Sequence, residues 1–179
     1  MKEGVCVPKI TFQTRIGDTL PEVGGCPIGG DWKEVTTQDL FANKRVILFS
    51  LPGAFTPTCS TYQLPGFEEG HQDFVEQGID EIYCMSVNDS FVMNAWADVI
   101  GIKNVKVIPD GSGQFTRQLG MLVDKDNLGF GARSWRYAAV INDGVVEAWF
   151  EEPGREDNCG EDPYGETSPE NVLDYLKSK

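Results

Sequence analysis

The sequence lacks long apolar runs, and its positively charged residues are few. No apolar stretch approaches the roughly eighteen residues that a membrane-spanning helix needs. Lys and Arg together number 15 against 28 Asp and Glu, which gives a formal net charge of -13. This charge balance argues against nucleic-acid or anionic-membrane partners, because both are bound through basic surfaces. The first residues continue into polar sequence without an apolar segment, so no secretory signal is expected.

Paired cysteines are also missing. The chain has five cysteines, which are Cys6, Cys26, Cys59, Cys84 and Cys159. Their odd number and wide spacing argue against a secreted disulfide framework. The single histidine, His71, is near none of them in sequence, which argues against a zinc site. We therefore expect no metal or cofactor, and a reducing compartment such as the cytoplasm.

Short runs of strand-forming residues alternate with segments of helical spacing. The pattern predicts helices at 37–43, 64–77, 90–100, 114–119 and 169–176, and strands at 46–50, 81–87, 105–109, 137–141 and 145–150. Asp143-Gly144 is typical of a hairpin turn between the last two strands. These features predict one α/β domain over 1–179, a three-layer sandwich with a mixed sheet, in an order that fits thioredoxin-like architecture.

The most informative segment is 50–60, Ser-Leu-Pro-Gly-Ala-Phe-Thr-Pro-Thr-Cys-Ser, between a predicted strand and a predicted helix. Functional sites of open α/β sheets form beyond the carboxyl ends of strands. Thr56 can cap the helix and Pro57 suits its first position, which places Cys59 in the first turn. The helix dipole there favours a thiolate. An unreactive, buried cysteine is an equally open interpretation of this spacing.

These residues also carry a family resemblance. Pro52, Thr56 and Cys59 reproduce a P-x-x-x-T-x-x-C motif, and Leu-Pro-Gly-Phe follows at 64–67. The sequence resembles the peroxiredoxins, in particular the peroxiredoxin 5 subfamily, which includes plant type II enzymes and bacterial peroxiredoxin–glutaredoxin hybrids. The likeness covers most of the chain from about residue 40, with further matching segments at 84–89, 110–115, 131–137 and 143–146.

The resemblance implies a thiol peroxidase that reduces hydrogen peroxide and alkyl hydroperoxides. Cys59 would attack the peroxide and become a sulfenic acid, with Thr56 and backbone N–H groups stabilising charge on the oxygens. Pro52 would shield the sulfur from water. Arg136 would stabilise the thiolate and hold the peroxide, and Arg133 in the same loop is the alternative. Glutathione with glutaredoxin, or thioredoxin, would recycle the enzyme, which implies roles in cell redox homeostasis and the response to oxidative stress.

The sequence departs from the subfamily in two places. Gln63 stands in a stretch where many members carry His, and an amide does not titrate. The segment 151–170 holds eight acidic residues and one basic residue around Cys159. We expect a mobile surface loop there, with Cys159 as a possible resolving cysteine. Because the carboxylates disfavour its thiolate, a one-cysteine cycle with an external thiol is favoured over an internal disulfide.

The resemblance also implies a homodimer that makes contact through loops around the active site. Phe55, Phe91 and Trp135 are large apolar residues on or next to those loops and fit such a surface. Alternatively, they line the peroxide pocket.

The remaining cysteines have simpler interpretations. Cys84 is expected to be an inert core residue of a strand. Cys6 is expected to be a spare thiol, as is Cys26, which lies in a predicted loop at 26–30. His71 is expected at the surface rather than as a base.

Two other functions are compatible with a thioredoxin-like fold. In the first, the protein binds a partner and Cys59 is only a redox sensor, but a sensor does not need the full set of Pro52, Thr56 and Arg136. In the second, the protein is a dithiol oxidoreductase. The residue three before Cys59 is Thr56, so the second cysteine of that mechanism is absent.

Overall fold

The computed structural model describes residues 2–19, 25 and 28–179. The strands are β1 (Thr11–Thr19), β2 (Ile28–Thr36), β3 (Arg45–Ser50), β4 (Glu81–Ser86), β5 (Lys106–Pro109), β6 (Leu122–Asp124), β7 (Ala132–Ser134), β8 (Tyr137–Asn142) and β9 (Val145–Glu151). The helices are α1 (Thr37–Phe41), α2 (Leu64–Glu69), α3 (His71–Glu76), α4 (Ser90–Ile100), α5 (Gln114–Gln118) and α6 (Pro169–Lys177). A π-helical turn spans Cys59–Gln63, and a 3₁₀ turn spans Asp126–Leu128. In this part of the chain, no helix has the length and apolar character to cross a membrane.

The central sheet has the strand order β5-β4-β3-β8-β9. The first three of these strands are parallel, whereas β8 is antiparallel to both β3 and β9. The predicted mixed sheet is therefore confirmed. The predicted hairpin turn is confirmed as well, since Asp143 and Gly144 have φ of 48° and 76°, the left-handed backbone that such two-residue turns require.

Alternate residues of β8 separate the core into two parts. Ala138 and Val140 pack into one hydrophobic cluster, together with buried residues of α2, α3, α4 and α6. Tyr137, Ala139 and Ile141 pack into a second cluster, with buried residues of β1, α1 and α5. Because successive strand residues point to opposite faces, the two clusters cover the two faces of the sheet. This is the predicted three-layer arrangement.

Several features of the fold differ from the sequence prediction, among them the short antiparallel pair of β6 and β7, which was not predicted. The hairpin of β1 and β2 was not predicted, because these strands are mostly exposed and polar and show little alternation. Residues 28–30 belong to β2 rather than to a loop, whereas Cys26 lies outside the described residues. The helix predicted over 64–77 is divided at Gly70, whose φ and ψ of -79° and 0° leave the helical range.

Candidate active site

Cys59 lies just beyond the carboxyl end of β3, as the motif predicted. The chain becomes helical at Pro57, and the backbone N–H of Ser60 donates to the carbonyl of Thr56 at 3.0 Å. Cys59 therefore occupies the first turn of the helix, where the dipole favours a negative charge. The wider π-helical turn begins at this residue and continues to Gln63. The Cys59 side chain is fully buried, with 0% exposure.

The loop before Cys59 is fixed by hydrogen bonds at both ends. The hydroxyl of Thr56 donates to the carbonyl of Gly53 at 2.7 Å, so this side chain closes the loop instead of accepting a helix N–H as a cap. Asn88, just after β4, accepts hydrogen bonds from the Ala54 N–H at 3.0 Å and the Ser86 hydroxyl at 2.7 Å. Pro52 is buried in this loop. The neighbouring strand thus sets the position of the segment that leads to the sulfur.

Arg136 is the cation that reaches this sulfur. It directly precedes β8, is 1% exposed, and its Nη1 donates to Cys59 Sγ at 3.4 Å. Burial alone would lower the pKa of Arg136, but the negative charges of Cys59 and Asp162 hold that pKa above its ordinary value. The guanidinium therefore remains charged beside the thiol, where it favours the thiolate.

The other contacts of Arg136 come from Gln63 and from the acidic segment near the C-terminus. Nη1 also donates to Gln63 Oε1 at 2.6 Å, Nη2 donates to Asp162, and Nε donates to the carbonyl of Pro163 at 3.1 Å. The ring of Tyr164 lies 5.7 Å from the guanidinium carbon. These partners surround the arginine and fix its direction.

Arg133 lies in the same region but does not contact the sulfur. Its Nε donates to the carbonyl of Phe130 at 3.0 Å, and its Nη1 donates to the carbonyl of Pro52 at 3.5 Å. Burial lowers the pKa of Arg133. Of the two arginines that the sequence left open, Arg136 is the one placed beside Cys59, whereas Arg133 bonds the Pro52 carbonyl in the loop before it.

Cys159 is not brought together with Cys59. It packs partly against the second cluster, whereas Cys59 belongs to the first. Its segment is irregular, as predicted, but it is held in place: the Asn158 N–H donates to the Asp124 carbonyl at 2.7 Å, and Lys125 Nζ donates to the Cys159 carbonyl at 3.4 Å. These bonds argue against the mobility expected of this loop.

The other cysteines occupy separate places. Cys84 is fully buried in β4, as predicted, and burial together with nearby Cys59 raises its pKa well above the ordinary value. Cys84 is therefore held as an uncharged thiol. Cys6 is exposed and pairs with Val145 in an isolated bridge. His71 begins α3 and is half-buried.

Two of the three aromatic residues expected near the site are exposed. Phe55 and Phe91 have 56% and 37% exposure. The interpretation as a contact surface is wrong for Trp135, which is 2% exposed and donates its indole N–H to the Glu152 carbonyl at 2.8 Å. Trp135 contributes to the core, so it does not offer a contact surface.

Sequence reasoning missed the buried polar residues behind Arg136. Gln63 was noted only as a departure from the family, yet it is fully buried and its Nε2 donates to the Thr167 hydroxyl at 3.2 Å. Thr167 in turn donates to Glu152 Oε1 at 2.8 Å. The only sequence feature that could have indicated a buried acid was the pair Glu151-Glu152, directly after an apolar run. At such a position one of two neighbouring carboxylates can face the core.

Comparison with known proteins identifies this arrangement. The fold and the arginine-supported thiol at a helix start define a thioredoxin-like protein with a cysteine-centred site. The Redoxin family model matches residues 15–165. A "Peroxiredoxin" of Rhizobium etli is 64% identical over 172 residues, which cover 96% of this chain and 94% of that protein. The chain belongs to the peroxiredoxin family, and it is accordingly a thiol-dependent peroxidase.

Other relatives support the subfamily resemblance. "Hybrid peroxiredoxin hyPrx5" of Haemophilus influenzae is 48% identical over 97% of this chain and 66% of that longer protein. "Peroxiredoxin-2E, chloroplastic" of Arabidopsis thaliana is 45% identical over 81% of this chain and 64% of that protein. The predicted likeness to hybrid and plant type II enzymes is confirmed.

Solved structures confirm the thioredoxin-like fold. The Plasmodium falciparum antioxidant protein, a 1-Cys peroxiredoxin, superposes with a TM-score of 0.90 at 36% identity, covering 99% of this chain and 100% of that one. Reduced Prx3 of Vibrio vulnificus in complex with H₂O₂ gives a TM-score of 0.82 at 32% identity, covering 99% and 96% of the two chains.

Proposed function

We propose that Cys59 is the nucleophile of a peroxidase that reduces hydrogen peroxide and alkyl hydroperoxides. The observation that carries this proposal is the hydrogen bond from the buried, charged Arg136 to Cys59 Sγ at 3.4 Å. A guanidinium at this distance favours the thiolate. The relative from Vibrio vulnificus, whose structure contains H₂O₂, supports hydrogen peroxide as one substrate.

The thiolate attacks one oxygen of the peroxide, and the O–O bond breaks as the S–O bond forms. Sulfur is oxidised to the sulfenic acid, and the leaving oxygen takes up a proton and departs as water or an alcohol. Arg136 and the N–H groups of the helix start stabilise the charge that builds on the oxygens, and the Thr56 hydroxyl joins them when it turns from the Gly53 carbonyl to the peroxide. Pro52 restricts access of water to the sulfur.

An external thiol completes the cycle in this proposal. It attacks the sulfenic sulfur of Cys59 and releases water, and a second thiol then reduces the resulting mixed disulfide. The position of Cys159 against the opposite core cluster supports this one-cysteine cycle. Glutathione with glutaredoxin, or thioredoxin, is the proposed reductant in a reducing compartment such as the cytoplasm, where the enzyme serves redox homeostasis and the oxidative-stress response.

Exposed aromatic residues support the proposed homodimer. Phe55 lies in the loop before Cys59, and Tyr62 in the turn after it is 61% exposed. Beside the β1–β2 hairpin, Phe91 and Trp32 meet edge to face at 5.7 Å. Apolar side chains at these loops favour contact with a second copy. Sedimentation showing a monomer at every concentration would exclude the dimer.

The experiment that tests the function combines turnover with mass analysis. Peroxide consumption is measured under multiple-turnover conditions with glutathione–glutaredoxin and, separately, with thioredoxin. Peptides are then mapped without reduction after one equivalent of peroxide. We expect many turnovers and either a sulfenic acid or a glutathione adduct on Cys59. A single turnover in both systems would instead indicate a redox sensor, and a Cys59–Cys159 bridge would indicate an internal resolving step.

A further inference from the structure

Glu152 is a buried carboxylate for which the peroxide chemistry has no direct use. It follows β9, is 3% exposed, and forms no ion pair with a Lys or Arg among the described residues. Its Oε1 accepts three hydrogen bonds of 2.8 Å, from the N–H of Gly165 and from the N–H and hydroxyl of Thr167. Burying a carboxylate is costly, and these charge-assisted bonds offset the cost.

The main chain of Glu152 is attached to Arg136 itself. Its N–H donates to the Arg136 carbonyl at 3.2 Å, which extends the pairing of β8 and β9 by one step. Its carbonyl accepts the indole N–H of Trp135. Glu152 therefore connects two parts of the site. Its backbone bonds the backbone of Arg136, and its side chain bonds Gly165 and Thr167.

That segment supplies the groups that hold the Arg136 side chain. Asp162 and the Pro163 carbonyl accept from the guanidinium, and Tyr164 packs beside it. The Thr167 hydroxyl accepts from Gln63 Nε2, which turns Gln63 Oε1 toward Arg136. Contacts from 162–167 therefore fix the guanidinium from several sides at once.

We propose that Glu152 is a positioning residue for peroxide reduction: it anchors the segment 162–167, and through it Gln63, so that Arg136 stays directed at the Cys59 sulfur. The inference rests on the proposed role of Cys59. Glu152 does not touch the sulfur, and it acts only through the position of Arg136. A buried acceptor that fixes a catalytic side chain is typical of the supporting interactions that make an active site precise.

The test compares Glu152→Ala with Glu152→Gln. Alanine removes the acceptor of all three bonds, whereas glutamine keeps an oxygen at the same place. Rates of Cys59 oxidation by hydrogen peroxide are measured in rapid-mixing experiments across pH. We expect Glu152→Ala to be slower by roughly tenfold to a hundredfold near neutral pH, and Glu152→Gln to recover most of the rate. The loss should shrink as pH rises, because hydroxide restores the thiolate that Arg136 no longer favours.

Two further variants make the test decisive. Glu147→Ala is the matched control, because Glu147 lies on β9 and pairs with Arg45 away from the site; its rate should stay at the wild-type value. Thr167→Val keeps the backbone bond to Glu152 but removes the hydroxyl, and with it one bond to Glu152 and the link to Gln63, so it should lose several-fold in rate. If Glu152→Ala does not show a cooperative thermal unfolding transition, the rate of Thr167→Val decides whether the proposal holds.

A folded Glu152→Ala variant with a rate within about twofold of wild type would overturn the proposal. So would a loss of equal size at every pH that glutamine does not rescue, because that pattern indicates general damage to the fold. If the wild-type protein itself does not react with peroxide, the proposed function fails instead. The thiolate absorbance of Cys59, measured against Cys59→Ser, then still shows whether Glu152 acts on the thiol.

Discussion

Cys59 and Cys159 stand in contrasting surroundings on opposite faces of the central sheet. Cys59 is fully buried at a helix start and receives a hydrogen bond on its sulfur from Arg136. Cys159 is half-buried in an acidic loop, and the nearby cation, Lys125, bonds its carbonyl oxygen instead of its sulfur. The proposed function assigns reactivity to the more buried of these two thiols, so exposure would not be the property that identifies it. A better indicator of thiol reactivity is whether the nearest positively charged side chain bonds the sulfur, as Arg136 does, or another atom, as Lys125 does.

The largest expected effect comes from replacing the first of these two thiols. Cys59→Ser should abolish peroxide turnover and leave the fold intact, because serine is close to cysteine in size but its hydroxyl does not ionise near neutral pH. Peroxide consumption and thermal unfolding are measured side by side, with Cys84→Ser as the control for a second buried thiol. If Cys59→Ser turns over peroxide at the wild-type rate, Cys59 is not the nucleophile and the contrast with Cys159 has no functional meaning.

The next effect concerns the charge on the sulfur. Arg136→Ala should slow the reaction with peroxide by about a hundredfold, because it removes a charge-assisted hydrogen bond from the thiolate. Arg133→Ala is the matched control and should lose far less, since Arg133 bonds only carbonyl groups. A pH titration of the thiolate absorbance should show a smaller thiolate fraction for Arg136→Ala at neutral pH. If the thiolate titration is unchanged in Arg136→Ala but altered in Arg133→Ala, then Arg133 is the residue that stabilises the thiolate.

A smaller effect is expected on the stability of the Cys59 side of the sheet. Glu68 in α2 accepts the N–H groups of Lys103, Asn104 and Val105 at 2.8 to 3.1 Å. Burial opposes the charge, but these bonds hold the pKa of Glu68 below its ordinary value of 4.5. This contribution to stability is present above pH 4.5 and is lost as the pH falls through the lower folded pKa.

Glu68→Gln should therefore lower the free energy of unfolding by about 1 kcal/mol at neutral pH, a modest value because the side chain is partly solvated. The difference from wild type should disappear in acid. Urea unfolding at several pH values measures it, with the exposed neighbour Glu69→Gln as control. A difference that persists in acid would show that the carboxylate charge is not its source.

The smallest effect is expected for the second thiol of the comparison. Cys159→Ser should leave the peroxidase rate within about twofold of wild type with glutathione–glutaredoxin and with thioredoxin, because Cys159 itself packs against the opposite core cluster and Lys125 holds its carbonyl. Cys6→Ser, at an exposed position, is the matched control. A selective loss of the thioredoxin-supported rate would show that Cys159 crosses to Cys59 during turnover.

The sequence predicted the central sheet well because its three inner strands, β3, β4 and β8, are buried on both faces. The apolar run Val46-Ile-Leu-Phe-Ser50 became β3, and the motif after it placed Cys59 beyond the strand end. The β1–β2 hairpin was not predicted because its residues are polar and largely exposed. They therefore lack the alternation of apolar and polar residues that marks a half-buried strand. The helix over 64–77 was interrupted at Gly70 by backbone geometry that spacing does not reveal.

The candidate site could be predicted only where its residues belong to a local motif. Pro52, Thr56 and Cys59 share one loop, and the resemblance added Arg136. Glu152 and Thr167 could not be found, because their contacts join positions far apart in the chain, and an acidic composition gives no sign of which carboxylate turns inward. The sequence around Lys125 did not indicate its role either. Its bond to the Cys159 carbonyl helps to hold a loop that was predicted to be mobile from composition alone.

The complete burial of Cys59 has a consequence for the timing of the cycle. A sulfur with 0% exposure can be reached by a small peroxide after a slight movement of its surroundings, but a thiol carried on the surface of another protein needs far more room. In the proposed cycle, reduction of Cys59 by a protein thiol therefore requires a wider opening of the turn at 57–63 than oxidation by a peroxide does. The frequency of that wider opening would then set an upper limit on the rate of reduction by a protein partner.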